Sequence, residues 1–191
     1  MKRQLLSIVI ILAGAAAAAA QGVEAKVDLI RKTYIDVAEK ARLAETDEDQ
    51  GQFGELVMNE LVINKRSHQW RAIGIYQKSY KFFYKGGDTE EHLYPDQLVM
   101  AKVERKESNR TYAEVYLFDY PGRLVYYSQR SGSDDQLPAD RQLYFSAAQA
   151  LRIVEDNKQR DKLSAGDLKV TKDVLSSAAQ IKEIFTKSIK L

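Results

Sequence analysis

The chain has 191 residues, with 29 Lys and Arg against 27 Asp and Glu, two His and no Cys. The missing Cys excludes disulfides, thiolate catalysis, Cys-ligated zinc and iron–sulfur clusters. Lys2 and Arg3 carry the whole charge excess, so residues 21–191 are neutral overall and give no electrostatic reason to bind nucleic acid or anionic lipid.

Met1-Lys2-Arg3-Gln4 is a short positive region, Leu5 to Leu12 is apolar except for Ser7, and Gly14 and an alanine tract follow. This is the layout of a secretory signal peptide over 1–20. Cleavage after Ala20 fits, with Ala18 and Ala20 at the small-residue positions. Cleavage after Ala25, in Val23-Glu24-Ala25, fits as well. A membrane anchor is the weaker reading, because alanine is only mildly hydrophobic and no basic stop-transfer cluster follows. The expectation is export to the periplasm or the medium, with a chain soluble after cleavage. A lipoprotein is excluded, since lipidation needs an N-terminal Cys.

Residues 26–191 read as a single α+β domain. From Val27 to Ala44 the residues Val27, Ile30, Tyr34, Val37, Ala41 and Ala44 recur at steps of three and four, which predicts an amphipathic helix. Thr46 to Gly51 is polar and without period. Between Leu56 and Glu155 several segments alternate at period two. Tyr76, Tyr80, Phe82 and Tyr84 alternate with polar residues before Gly86-Gly87. Leu98–Arg105 and Thr111–Phe118 read as strands, and Asp119-Tyr120-Pro121-Gly122 as the turn into Leu124–Ser128.

A degenerate repeat runs through this region. Tyr94-Pro95-Asp96-Gln97-Leu98-Val99 returns 26 residues later as Tyr120-Pro121-Gly122-Arg123-Leu124-Val125, and the Phe118–Leu124 spacing returns at Phe145–Leu151. By propensity alone 141–157 suits a helix. The repeat favours a hairpin of 142–146 with 151–155, turning at 147–150. After a polar stretch, Val174, Ala178, Ile181, Phe185 and Ile189 form the stripe of a last helix, with Ser164 or Asp167 as N-cap. The expected fold is an antiparallel β-meander of five to seven strands with the N- and C-terminal helices packed on one face.

Phe118-Asp119-Tyr120-Pro121-Gly122-Arg123-Leu124-Val125-Tyr126, Arg141-Gln142-Leu143-Tyr144-Phe145 and Leu151-Arg152-Ile153, followed by a charged C-terminal helix, resemble a group of exported bacterial α+β proteins. In that group aromatic hairpins of the form F-D-x-x-G-x-L repeat. The resemblance covers residues 80–190, implies the same fold, and implies no activity and no site. Ala147-Ala148-Gln149-Ala150 departs from it, standing where a Gly- or Asn-containing turn is usual.

Chemistry is sparse. His68 and His92 lie in polar loops without a nucleophile motif or H-E-x-x-H. Asp47-x-Asp49-x-Gly51 lacks the rest of a calcium loop. Asp88-Glu90-Glu91 and Asp134-Asp135 are loop acids, and Gly86-Gly87 lacks the Lys-Ser/Thr of a phosphate loop. No catalytic residue, cofactor or metal ligand is assigned. Tyrosine stands out instead. Its first reading is strand packing, with rings over a half-buried sheet. Its second is an open aromatic face for a glycan or a peptide. If the helices cover Val99, Ala101, Val103, Ala113, Val115 and Leu117, that face presents Tyr76, Tyr80, Tyr112, Tyr116 and Tyr127 as ligand-binding residues. The functional expectation is a non-catalytic exported binding module for an envelope protein, peptide or glycan, not nucleic acid. The alternatives are a small hydrolase using carboxylates and an envelope assembly protein using the C-terminal helix.

Overall fold

The computed structural model describes residues 2–46, 56–72, 74–85, 97–133 and 136–189, with side chains from residue 22 onward, 136–138 excepted. The elements are α1 (Lys2–Thr46), β1 (Val57–Ile63), β2 (Gln69–Trp70), β3 (Gly74–Lys85), β4 (Gln97–Glu107), β5 (Arg110–Phe118), β6 (Leu124–Ser133), β7 (Gln136–Ser146), β8 (Gln149–Glu155), β9 (Lys158–Arg160) and α2 (Ala165–Ser188). All strand pairs are antiparallel, in the order β1-β3-β4-β5-β6-β7-β8-β9, and β2 continues the β1 edge by pairing with the start of β3. The fold is therefore an α+β meander, with nine strands among the described residues where five to seven were expected. Two of the additional strands, β2 and β9, have two and three residues, too few to display a period.

The helices lie on opposite faces, which corrects the expected one-face packing. Side chains alternate along a strand, and Phe82 and Phe83 are neighbours that are both fully buried. One covering layer cannot bury both. Phe83, Met100, Leu117, Tyr126 and Tyr144 pack under α1 with Val27, Val37 and Ala41. Phe82, Ala101, Tyr116, Phe118, Leu124, Tyr127, Leu143, Phe145 and Ile153 pack under Val174, Ala178, Ile181 and Phe185 of α2.

Helix α1 is one element where a leader and a separate helix were expected, consistent with alanine being the best helix former. Its packed stripe begins before Val27, at Val23. Helix α2 is capped by Ser164, whose hydroxyl accepts from the Asp167 backbone N–H, while Asp167 accepts in return from the Ser164 N–H. This capping box uses both residues that the sequence offered.

The repeat is real in three dimensions. Hairpins β3–β4, β5–β6 and β7–β8 each carry a bulge, at Val99, Val125 and Leu151, spaced by 26 residues. An inserted residue bends its strand and increases the local twist. The equivalent of Leu124 in the third hairpin is Ala150, opposite Phe145, and not Leu151. The 141–157 segment is a hairpin, and its turn is Ala147-Ala148, with φ of 49° and 63°. At the corresponding β5–β6 turn Gly122 takes φ 77°, and its carbonyl accepts a 2.7 Å hydrogen bond from Lys182 of α2.

Candidate functional site

Register decides where the tyrosines lie. Ala101 pairs with Tyr116 and Val103 with Glu114, so these four share the α2 face, while Val115 and Leu117 point to α1. The bulge at Val99 breaks the simple alternation that had grouped Val99 with Ala101. Tyr116 and Tyr127 are cross-strand partners, with ring centroids 5.0 Å apart. They are core residues, however: Tyr116 is 2% exposed and Tyr127 3%. Tyr80 is buried in the same cluster. These three are thereby corrected from surface to core, because α2 covers the strand ends on which they sit.

The buried hydroxyls converge on one acid. Tyr116 donates to Glu114 Oε2 at 2.9 Å, and Tyr127 to Oε1 at 3.3 Å. Burial first, and the Glu114 carboxylate second, push both phenols well above the ordinary tyrosine range. Next to them Arg141 donates to Glu155, and Arg160 links Glu155 to Asp167 at the head of α2. Hydrogen bonds from Arg160, then from Ser164, hold the Asp167 carboxyl down at about 2. The cluster satisfies its own donors and acceptors, which is the pattern of a structural network.

Tyr76 and Tyr112 lie beyond the cover of α2 and are half-buried. Arg105 stacks over the Tyr112 ring at 4.3 Å, and Trp70 packs against Tyr76 with centroids 5.0 Å apart. Pairing of Ile63 with Lys78 and of Leu61 with Tyr80 brings β1 onto the same face. Val57, Leu61, Ile63 and Trp70 are exposed along this edge. Sequence reading missed β1 because its two polar residues, Asn59 and Glu60, are adjacent, so VMNELVI shows no alternation. The single Trp of the chain, set among polar residues, was the available signal.

On the other face, beyond the reach of α1, a cavity of about 410 Å³ is lined by Glu60, Lys65, Gln77, Ser79, Glu104 and Lys106. It brings two carboxylates, Glu60 and Glu104, to one concavity. His68 is exposed, and its backbone is clamped by the Asn64 amide, which accepts from His68 N–H and donates to His68 O. His92, the Asp47-x-Asp49-x-Gly51 stretch, Gly86-Gly87 and the acids at 88–91 and 134–135 lie outside the described residues. Among the described residues no group of three or more His, Asp or Glu is placed to hold a metal ion. Compared with protein-family models, curated proteins and solved structures, the chain matches none.

Proposed function

We propose that this protein is an exported, non-catalytic binding module that takes an extended apolar peptide segment along the β1 edge. The observation that carries this reading is the contrast between the two edges of the sheet. Strand β9 is three residues long and contains Lys158 and Arg160, a short charged edge of the kind that discourages further pairing. Strand β1 is seven residues long, free of Pro, charged only at Glu60, and exposes Val57, Leu61 and Ile63. Its outer backbone groups have no strand partner among the described residues. A peptide adding there would gain main-chain hydrogen bonds from β1 and side-chain contact with Trp70 and Tyr76. A second copy pairing antiparallel about Glu60 would set two carboxylates face to face, which disfavours self-association at that register. The leader-like residues 1–20 support export.

Peptide selection from a random display library tests this reading. The wild type is expected to enrich peptides with alternating apolar residues, and a Leu61→Lys/Ile63→Lys variant of unchanged melting temperature is expected not to. Equal enrichment by both would overturn it. The Glu60–Glu104 cavity favours a second reading, a hydrolase using paired carboxylates. Turnover of a glycoside panel that disappears in both Glu60→Gln and Glu104→Gln would establish it in place of the first.

A further inference from the structure

Two leader cleavage positions fit the sequence, after Ala20 and after Ala25, and they differ in whether residues 21–25 remain. The structure gives two of them, Val23 and Glu24, work. Arg152 is 2% exposed, on the α1 face of β8 beside Tyr144. Its Nε and Nη2 donate to the two oxygens of Asp161 at 2.6 and 2.8 Å. That leaves Nη1, whose partner is Glu24 Oε2 at 2.8 Å, an ion pair set off the angle of an aligned hydrogen bond. Glu24 also lies 3.8 Å from Arg31 Nη1. Val23 packs on the α1-side core. Gly22, one residue earlier, is exposed and a Cβ built there meets nothing within 4 Å. Among the described side chains, Val23 is thus the first of α1 to pack on the core.

We infer that the leader is removed after Ala20, so that the mature chain begins at Gln21 and keeps Glu24 as the second carboxylate of the buried Arg152. This rests on the export reading proposed above. A cut after Ala25 would delete Glu24 and Val23 together. It would leave a buried guanidinium nitrogen without its counter-charge, and would place a new α-ammonium at Lys26 in the same turn. A cut after Ala20 keeps both Val23 and Glu24, with Gln21 and Gly22 ahead of them.

The test is the intact mass and N-terminal sequence of the full-length chain expressed with its own leader and recovered from the exported fraction. The expected first residue is Gln21, or the lactam formed when its α-amino nitrogen attacks the side-chain amide carbon and ammonia leaves. An exported chain beginning at Lys26 overturns the inference and leaves export standing. A chain that still carries Met1 overturns export and the cleavage with it. A second measurement isolates the physical reason: Glu24→Gln in the full-length chain should lower the melting temperature by roughly 2–4 °C. An unchanged melting temperature would remove the role assigned to Glu24 and overturn the argument for the earlier cut.

Discussion

Tyr116 and Tyr76 share a face of one sheet and a place in the same alternating pattern, yet one is core and the other is half-exposed. The difference lies along the strands and not across them. Helix α2 covers the strand ends that carry Phe82, Ala101, Tyr116, Tyr127, Leu143 and Ile153. It leaves uncovered the opposite ends, where Tyr76, Trp70, Arg105 and Tyr112 lie. Alternation tells which face a residue takes. It says nothing about how far along that face a covering helix reaches.

The largest test of this contrast is the double variant Tyr116→Ser/Tyr127→Ser. Each change removes a buried ring and one of the two hydroxyls that donate to Glu114, costing about 3–5 kcal/mol by comparison with aromatic truncations in other cores. Both together are expected to unfold the protein, read by loss of the cooperative melt. A folded double variant with a near-native melt would place these rings at the surface.

A smaller effect comes from the head of the covering helix. The Asp167 carboxyl is held at about 2 in the fold, below its unfolded value near 3.9. A lowered acid contributes stability that is present above the unfolded value and is lost as pH falls through the folded one. Between pH 4 and pH 2 the wild type should therefore lose about 1 kcal/mol through this group, after allowing for solvent screening. Asp167→Asn should show less of this loss in melts across the same range, and an identical pH profile for the two would count against the Arg160–Asp167 link.

The turns at the covered end offer a gain. Ala147 and Ala148 both adopt the left-handed region, which a two-residue hairpin demands and which suits Asn and Gly. Replacing them by Asn and Gly should raise stability by about 0.5–1 kcal/mol, measured by denaturant titration. The smallest expected change in stability is at the open end. Trp70→Ser/Tyr76→Ser should stay within about 1 kcal/mol of the wild type while abolishing enrichment of edge-binding peptides. A severe loss of stability there would make the open end core as well.

Much of the meander was legible because its strands are long and its turns carry Gly, Pro or a matching repeat. Val27–Ala44, Leu98–Arg105, Thr111–Phe118 and the 141–157 hairpin all fall within observed elements. The opposite placement of the helices was legible in principle. Phe82 and Phe83, Tyr116 and Leu117, and Tyr126 and Tyr127 are adjacent large apolar pairs, and such pairs require burial on both faces. The bulges hid the register, since each inserted residue swaps the faces of the strand residues beyond it. Glu24 as the partner of Arg152 could not be read from sequence at all. Its pairing spans from α1 to β8 and depends on where the helix crosses the sheet.

The central claim is that α2 divides one aromatic face into a core half and an open half. Oxidative footprinting of the native protein, read residue by residue by mass spectrometry, tests it most directly. Trp70 and Tyr120, 48% and 86% exposed, should be modified rapidly, and Tyr116 and Tyr127 should stay protected until the protein unfolds. Modification of Tyr116 and Tyr127 at the rate of Tyr120 would contradict the account.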